Sequence, residues 1–541
     1  MLVFCKYRLF TVLFLWNIFE IESTIITSIS KMESLALSEK EMLSVFQTFM
    51  RETDDNDGVD AIRRYQDDIK QDDIYSITDG FMENPINAFH FVKRMHTIWG
   101  GIISELDCDN CFLHPPKPLL DFQRRLQEID KRHGNMIHVS SADLSFAALA
   151  IVRLWQTYKL NLSQLIQGKI LDEQTEPLTV DEVMYICRQL DDDNYYYKEI
   201  IWLQELQREM RLSPQSYTDT QFTRVARQLA STYAKAEMPW QSVKLLEKEL
   251  SVGNDSLSEV NKKKIERDIT YFKQKSGDIP MGERNKTLSP DERDVNKASY
   301  EALCRGDLKR NVKVTSRLVC IYRPTKLPWY RVKEEILNHK PRVSMMYNVI
   351  TDAEIDFIKE FALSKLKEST VAGNVVGGTT NYKYRISQTA WFLQTVHSNF
   401  LKIAKRIELI TGLSTKQFPL PYDAEDLQVL NYGVGGMYEP HEDYFGTPID
   451  VAPNPPFHSA EFINSGDREA TWMFYLSDVK AGGATVFTDI KATVSPVKNS
   501  AVFWYDIKRN GNLDDRSTHA GCPVLLGSKW GIYNYYYNKF L

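Results

Sequence analysis

The chain has 541 residues, of which 43% are hydrophobic and 26% are charged, and its formal net charge at pH 7 is -6. A chain of this length is expected to hold several domains, and the composition is that of a globular protein. So mild a negative charge gives no basis for binding nucleic acid or an anionic membrane surface, and we expect neither partner.

The N-terminal segment MLVFCKYRLFTVLFLWNIFE predicts a signal peptide. Lys6 and Arg8 precede an apolar run over residues 9–19, which is too short to cross a bilayer comfortably. We expect residues 1–23 to be removed, with an uncleaved anchor as the alternative, and we expect no membrane span in the mature chain. Secretory entry makes three sequons candidate glycosylation sites, at Asn161, Asn254 and Asn285.

Two helical domains are predicted next. Over residues 24–155, apolar side chains recur at helical spacing, as in the stripe of Met42, Val45, Phe46 and Phe49. Long amphipathic helices without a catalytic cluster suggest an assembly domain, and an ordinary helical domain fits the pattern equally well.

Residues 160–275 predict a helical domain of a different kind. Thr179 and Glu182 form a capping box, and alanines recur on one face of a later helix. This pattern is similar to one tetratricopeptide unit, a repeat that stacks into a groove for extended peptides. Aromatic side chains can line such a groove or simply pack between helices, and the candidates are Tyr195, Tyr196 and Tyr233.

Residues 276–340 carry Gly, Pro and mixed charge and predict a linker. Within it Cys304 and Cys320 flank a basic segment. A disulfide between them would close a short loop and contribute roughly 3 kcal/mol in the chain-entropy model. Cys522 lies in the stretch GCPVLLG, where we expect a buried thiol.

From residue 341 to 541 one helix is followed by short strands that turns separate. Several strands are apolar on both faces, which indicates a two-sheet β core. The strands are LQVLNY, ATWMFYLSD, GGATVF, SAVFWYD, CPVLLG and KWGIYNYYY. A double-stranded β-helix, or jelly roll, of the Fe(II) oxygenase kind would give this series of short strands. The expected fold is therefore an all-α half followed by a jelly-roll catalytic domain.

Metal chemistry is indicated by the stretch GMYEPHEDYFG. In a strand, His441 and Asp443 share one face. An imidazole and a carboxylate are two of the three ligands of a 2-His-1-carboxylate Fe(II) site, and His519 offers the third. Lys529 follows ten residues later in an otherwise uncharged strand. A buried lysine needs an anion, and the far carboxylate of 2-oxoglutarate suits it.

Four stretches together closely resemble the α-subunit family of collagen prolyl 4-hydroxylases: LQVLNYGVGGMYEPHEDYF, ATWMFYLSDVKAGGATVF, AVFWYD and STHAGCPVLLGSKW. The resemblance implies that His441, Asp443 and His519 bind Fe(II) and that Lys529 binds the C5 carboxylate of 2-oxoglutarate. It places three further residues around the reactants, with Tyr432 and Thr485 beside the co-substrate and Arg468 near the peptide path.

The reaction that the resemblance implies is 4-hydroxylation of proline in X-Pro-Gly peptides. It consumes O2 and 2-oxoglutarate, releases succinate and CO2, and uses L-ascorbate to restore oxidised iron. The family assembles as an α2β2 tetramer with protein disulfide isomerase in the lumen of the endoplasmic reticulum. The chain ends NKFL without a KDEL-type signal, so we expect such a partner to retain it.

One departure from the family pattern concerns the last strand. Where the family has a tryptophan and a histidine after the lysine, this chain has Tyr535 and Tyr537. Three alternatives therefore remain open, namely a paralogue of weak activity, an enzyme for a secreted non-collagen protein, and a peptide-binding assembly subunit.

Overall fold

The computed structural model describes residues 28–538, with gaps at 54–58, 70–73, 75–76, 107–115, 135, 253–256, 278–288, 291, 370–383, 418–421 and 446–465. The predicted signal peptide and two of the three sequons, Asn254 and Asn285, lie outside the described residues. Among the helices that are described, none is both long and apolar enough to cross a membrane.

A first group of helices begins at residue 29. Its members are α1 (Ile29–Glu52), α2 (Asp60–Arg63), α3 (Pro85–Arg94), α4 (Gly100–Leu106), α5 (Lys117–Arg132) and α6 (Ser141–Tyr158). The predicted stripe on α1 is confirmed, because Met42, Phe46 and Phe49 are buried. Phe49 stacks on Phe122 of α5 with ring centroids 4.8 Å apart, so aromatic packing holds these helices together.

The second helical group includes a short hairpin of β1 (Lys169–Ile170) and β2 (Glu173–Gln174) after its first helix. It comprises α7 (Leu162–Ile166), α8 (Val180–Asp192), α9 (Tyr196–Leu212), α10 (Asp219–Lys235), α11 (Pro239–Val252) and α12 (Glu259–Gly277). The predicted capping box at the start of α8 is present, with Thr179 and Glu182 each bonding the other's backbone N–H. From α8 to α12, each helix packs against the next one in the chain.

The predicted linker is wrong over much of its length. Residues 276–340 contain α13 (Glu292–Cys304), α14 (Val312–Thr315), β3 (Cys320–Pro324) and β4 (Arg331–His339), and both strands join the main sheet. Burial alternates along β4, as expected for a strand with one covered face. The sequence pattern did not reveal this strand, because a charged residue, Glu334, occupies one of its buried positions. Arg323 and Arg342 pair with Glu334 there at 2.6 and 2.7 Å.

The C-terminal part is built on two sheets. The strands of these sheets that follow β4 are β5 (Arg342–Tyr347), β6 (Lys367–Glu368), β7 (Gln388–Phe392), β8 (Leu427–Asn431), β9 (Tyr438–His441), β10 (Asp467–Tyr475), β12 (Thr485–Phe487), β13 (Ala492–Val494), β14 (Ser500–Tyr505), β15 (His519–Gly521) and β17 (Trp530–Asn538). Nine strands form one sheet in the order β3-β4-β5-β14-β10-β17-β8-β7-β6, and four form the other in the order β13-β12-β15-β9. A separate pair consists of β11 (Ala481–Gly482) and β16 (Val524–Leu526).

The nine-stranded sheet has two buried faces. On β10, Trp472 and Phe474 pack against α15 (Asp352–Leu363) and α16 (Ser398–Thr411), whereas Met473 and Tyr475 enter the space between the two sheets. This alternation follows from the two-residue period of a strand and explains why these segments are apolar on both faces. The space between the sheets is where the candidate site lies.

The helical half packs directly on the sheet-rich part. Arg153 of α6 donates to the Gly435 carbonyl at 3.1 Å, and Tyr158 donates to the Pro523 carbonyl at 2.5 Å. Gly435 has a φ of +57°, and a Cβ there would lie 3.4 Å from the Ala150 side chain. A glycine is therefore favoured where the turn between β8 and β9 approaches α6.

The predicted disulfide between Cys304 and Cys320 is wrong. Cys304, at the end of α13, pairs instead with Cys522, and Cys320 is a free, exposed thiol on β3. The expectation of a buried free thiol at Cys522 is wrong for the same reason. Local spacing suggested the nearer cysteine, whereas the fold brings α13 against the strand β15, which Cys522 follows.

Candidate metal centre

The three predicted ligands meet between the two sheets. His441 ends β9 and His519 begins β15, and these residues are register partners in the four-stranded sheet. Asp443 lies just beyond β9, and its carboxylate reaches His441 Nε2 at 3.7 Å and His519 Nε2 at 3.6 Å. One ligand atom from each of the three lies within 4.8 Å of the others. The sequence predicted that these three residues form one cluster, and they do, although Asp443 itself lies outside the strand.

Both imidazoles are held with Nε2 directed to the cluster. His441 Nδ1 lies 2.7 Å from the Glu439 carbonyl oxygen, and His519 Nδ1 lies 3.1 Å from the Ser517 carbonyl oxygen. A carbonyl only accepts, so each Nδ1 carries the hydrogen and each Nε2 keeps a lone pair for a metal. Burial, followed by the proximity of His519, lowers the pKa of His441 to about 3, which keeps this ring neutral.

Asp443 is suited to carry the negative charge of the site. It is buried, and burial alone would raise its pKa, but His519, His441 and Arg468 together hold the pKa of Asp443 below its ordinary value. The Thr471 hydroxyl lies 2.8 Å from Asp443 Oδ2, and Arg468 donates to the Asp443 backbone carbonyl at 3.1 Å. The carboxylate is thus fixed before any ion binds.

Lys529 lies in the adjoining part of the same space. It immediately precedes β17, rather than lying within the strand as the sequence suggested. Its ammonium is 4.9 Å from the ring centroid of Tyr432 and 5.9 Å from that of Tyr475, whose hydroxyl donates to Thr485 at 2.9 Å. Tyr432 therefore lies beside Lys529, and Thr485 is connected to the same surroundings through Tyr475.

Burial makes Lys529 an energetically costly residue unless an anion binds. The side chain is 2% exposed, and its Nζ has no hydrogen-bond partner among the described residues. Desolvation lowers the pKa of Lys529 to about 7. A buried cation with three unused donors is what a carboxylate ligand would satisfy.

Arg385 is a candidate site residue that the sequence reasoning missed. Its guanidinium is buried and lies 4.6 Å from the ring centroid of Tyr438, which itself stacks on His441 with centroids 3.5 Å apart. Nε contacts the Ser387 hydroxyl at 3.4 Å, and no carboxylate pairs with Arg385 within the part of the chain that is described. The stretch YRIS offered a signal, because it places a charged residue just before the largely buried strand β7.

Arg468 is largely committed to neighbours within the protein. It binds both oxygens of Glu425 at 2.5 and 2.8 Å, and its guanidinium carbon lies 3.7 Å from the ring centroid of Tyr535. With the bond to the Asp443 carbonyl, three of its nitrogens are engaged. Arg468 therefore holds the backbone of the proposed ligand Asp443 in place. Its predicted contact with a peptide stays a prediction.

The two tyrosines that depart from the family pattern occupy different surroundings. Tyr535 is buried between the sheets, stacked on Tyr533 with centroids 5.8 Å apart. Tyr537 is half-buried and is the register partner of Arg468, next to an irregularity in the pairing of β10 with β17. Eight residues of strand separate it from Lys529, which is roughly 26 Å. Tyr537 is thus remote from the lysine pocket.

The predicted peptide-binding tyrosines lie in the second helical group. Tyr195 occupies the N-cap position of α9 and is half-buried, the Tyr196 hydroxyl donates to Asn194, and Gln204 donates to the Tyr233 hydroxyl at 2.6 Å. The last bond joins α9 to α10. Trp202, in the same stretch, is fully buried against Trp155 with ring centroids 5.9 Å apart, so packing explains it.

Asn161 is the one predicted glycosylation site among the described residues. It is exposed at the start of α7, where its side-chain oxygen accepts a hydrogen bond from the Gln164 backbone N–H at 3.0 Å. The asparagine thus already serves as a helix cap.

Two family descriptions match the chain. Residues 28–172 match "Prolyl 4-Hydroxylase alpha-subunit, N-terminal region", and residues 427–537 match "2OG-Fe(II) oxygenase superfamily". The second match spans all three predicted ligands and Lys529. Together with the buried cluster of two histidines and one aspartate, it assigns the sheet-rich part to the oxygenases that use Fe(II) and 2-oxoglutarate.

Similarity to whole proteins is more specific. The prolyl 4-hydroxylase subunit alpha-1 of Mus musculus is 30% identical over 93% of this chain and 92% of its own length. The subunit alpha-2 of Gallus gallus is 30% identical over 97% of this chain and 96% of its own length. The chain belongs to the family of prolyl 4-hydroxylase alpha subunits.

Among solved structures, a viral collagen prolyl hydroxylase from Paramecium bursaria Chlorella virus-1, crystallised with 2-oxoglutarate, is similar to part of the chain. The match covers 36% of this chain and 95% of the viral chain, at 24% identity and a TM-score of 0.28.

Proposed function

We propose that this chain is the catalytic alpha subunit of a prolyl 4-hydroxylase, which hydroxylates C4 of proline in X-Pro-Gly peptides of the collagen type. The observation that carries the proposal is the His441, Asp443 and His519 cluster, which lies beside a buried lysine in the matched oxygenase region. The relatives named above are alpha subunits of prolyl 4-hydroxylases and support the choice of substrate.

The residues present fit the two reactants. His519 Nε2 and Lys529 Nζ are buried and without a hydrogen-bond partner among the described residues, as expected of a metal ligand and an anion-binding group. His441, Asp443 and His519 would hold Fe(II), and Lys529 would bind the C5 carboxylate of 2-oxoglutarate. When bound together, the metal, the 2-oxo acid and O2 supply the oxidising chemistry.

The protein's own part in this reaction is to bind, orient and exclude water. The carbonyls of Glu439 and Ser517 fix the two imidazoles, while Thr471 orients the Asp443 carboxylate. The lysine pocket is bordered by Tyr432 and, through Tyr475, by Thr485. Apolar side chains from both sheets surround it, so a bound carboxylate would meet Lys529 in a site of low dielectric.

The finer architecture is part of the proposal. A sheet of nine strands facing one of four, with both histidines on the smaller sheet, supports a double-stranded β-helix of the jelly-roll type. Successive packing of α8 to α12 supports a tetratricopeptide-like domain over residues 160–275, with Tyr195, Tyr196 and Tyr233 as candidate peptide contacts. Residues 24–155 would serve assembly.

The proposal extends to assembly and location. The relatives are named as subunits, which supports a partner chain, and we propose protein disulfide isomerase as the β subunit of an α2β2 tetramer. The predicted signal peptide supports residence in the lumen of the endoplasmic reticulum, where the sequons at Asn161, Asn254 and Asn285 would be accessible. L-ascorbate would maintain the iron in its reduced state.

The test is decarboxylation of 2-oxoglutarate by the chain co-expressed with disulfide isomerase. We expect succinate formation to rise when a (Pro-Pro-Gly)n peptide is added, and hydroxyproline to appear in equal amount. Turnover that no proline peptide stimulates would favour the alternative of a peptide-binding assembly subunit. Stimulation by other secreted proteins alone would favour a non-collagen substrate.

A further inference from the structure

Asp506, which follows β14, is a buried carboxyl that the sequence did not single out. Trp504 is the register partner of Thr471 on the neighbouring strand β10, and Asp506 lies two residues further on the same face. The Asp506 side chain is fully buried. One of its oxygens lies 2.9 Å from the Thr471 hydroxyl, and the other accepts a hydrogen bond from Trp504 Nε1 at 2.9 Å.

Each of these two partners touches a proposed metal ligand. The Thr471 hydroxyl also lies 2.8 Å from Asp443 Oδ2. The Trp504 ring packs edge-on against the His519 ring, with centroids 4.7 Å apart and planes at 61°. Asp506 is therefore connected to Asp443 through Thr471 and to His519 through Trp504.

The Thr471 hydroxyl has one hydrogen but two carboxyl oxygens within hydrogen-bond distance. If both carboxyls were ionised, one contact would join two oxygens with no hydrogen between them, which is costly in a buried site. Asp443 is the proposed metal ligand, and a carboxyl group binds a metal in its deprotonated form. The extra hydrogen therefore belongs on Asp506. Burial, followed by the charge of Asp443, raises the pKa of Asp506 well above its ordinary value.

We propose that Asp506 is a positioning residue for the metal site and that it acts as a neutral carboxylic acid. It donates to Thr471, so that the threonine hydrogen points to Asp443, and it accepts from Trp504, which holds the indole against His519. This inference rests on the proposed function, because it takes Asp443 and His519 as metal ligands. Contacts of this kind typically change metal affinity about 10- to 100-fold.

Metal affinity of the full complex tests the role without relying on turnover. Co(II) would be titrated in place of Fe(II), and its visible absorption would report the dissociation constant. Asp506→Asn keeps a donor and an acceptor without any charge, so its affinity should stay within about threefold of the wild type. Asp506→Leu removes both and should weaken binding about 10- to 100-fold.

Thr471 supplies a second pair of variants in case Asp506→Leu does not fold. Thr471→Ser keeps the hydroxyl and should bind Co(II) like the wild type, whereas Thr471→Val should weaken binding about 10-fold. In a double-mutant cycle, Asp506→Leu should cost less in the Thr471→Val background than in the wild type, because the two residues act through one contact.

The outcomes separate this inference from the proposed function. Equal losses for Asp506→Asn and Asp506→Leu would overturn the neutral-acid assignment, and unchanged affinity in both Asp506→Leu and Thr471→Val would overturn the positioning role. A wild-type protein that binds no Co(II), or a His519→Ala variant that binds it as tightly as the wild type, would instead contradict the metal site itself.

Discussion

His441 and His519 are directly opposite each other on antiparallel strands, with their ring centroids 4.4 Å apart. Neighbouring strands in a sheet hold facing side chains at a fixed separation. The two imidazoles are thus positioned by the sheet itself, and only Asp443 depends on a turn. This arrangement makes the effect of removing each ligand predictable.

We expect His441→Ala, Asp443→Ala and His519→Ala each to lower peptide-stimulated turnover by about 100-fold or more, because each removes one of three metal ligands. Assembly with the partner subunit should be retained, since none of the three lies in the helical half. His339→Ala is the matched control, because this exposed histidine side chain contacts the Arg317 backbone carbonyl and lies outside the metal cluster. Near-normal turnover in any ligand variant would rule out the iron assignment.

Lys529→Met should abolish 2-oxoglutarate binding yet stabilise the protein that lacks co-substrate. The pKa of Lys529 is lowered by burial to about 7, so its burial costs on the order of 4 kcal/mol at pH 7. Between pH 7 and 10 the unfolded chain binds a proton at Lys529 and the folded chain does not. The gain in melting temperature should therefore be largest at pH 7 and shrink toward pH 10.

A differential scan of both forms at several pH values makes this measurement. Lys416→Met, which alters an exposed lysine, provides the control for the loss of one charge. A Lys529→Met protein that melts below the wild type at pH 7 would show that the ammonium already has a partner in the unloaded protein.

Arg385→Gln should raise the KM for a (Pro-Pro-Gly)n peptide about 10-fold or more and leave Co(II) affinity unchanged. The guanidinium is buried beside Tyr438 without a carboxylate partner among the described residues, so its donors are available to peptide carbonyls. Arg385→Lys should not restore the KM, because an ammonium lacks the planar fork. Arg317→Gln changes an exposed arginine and should have no effect, and an unchanged KM for Arg385→Gln would exclude a peptide role.

The disulfide makes a direct prediction for peptide mapping. Digestion without reduction should yield a peptide pair joined through Cys304 and Cys522, with Cys320 open to alkylation. The bond closes a loop of 218 residues, so Cys522→Ala should lower the free energy of unfolding by roughly 5 kcal/mol in the chain-entropy model. Cys320→Ala should cost little. A peptide pair joining Cys304 and Cys320 would show that the nearer pairing is the real one.

Much of the fold and of the site could be predicted from the sequence, because the patterns concerned are local. The capping box at Thr179 and the apolar stripe on α1 each report a face of one element, and the structure confirms both. His441 and Asp443 were found from their spacing in a predicted strand, His519 as the third ligand that such a site requires, and Lys529 from the cost of burying an unpaired charge.

The tertiary structure alone decided the features that depend on which strands are neighbours. The Thr471 and Asp506 contact exists because β10 pairs with β14, and the Cys304 to Cys522 bond exists because α13 lies against the strand that Cys522 follows. Likewise, the charge of Glu334 led the sequence pattern to predict a linker in place of β4. In the fold, two arginines from the adjacent strands pair with Glu334 and allow it to be buried. A sequence shows the periodicity of each element, but strand register and long-range contacts arise only when distant elements share one core.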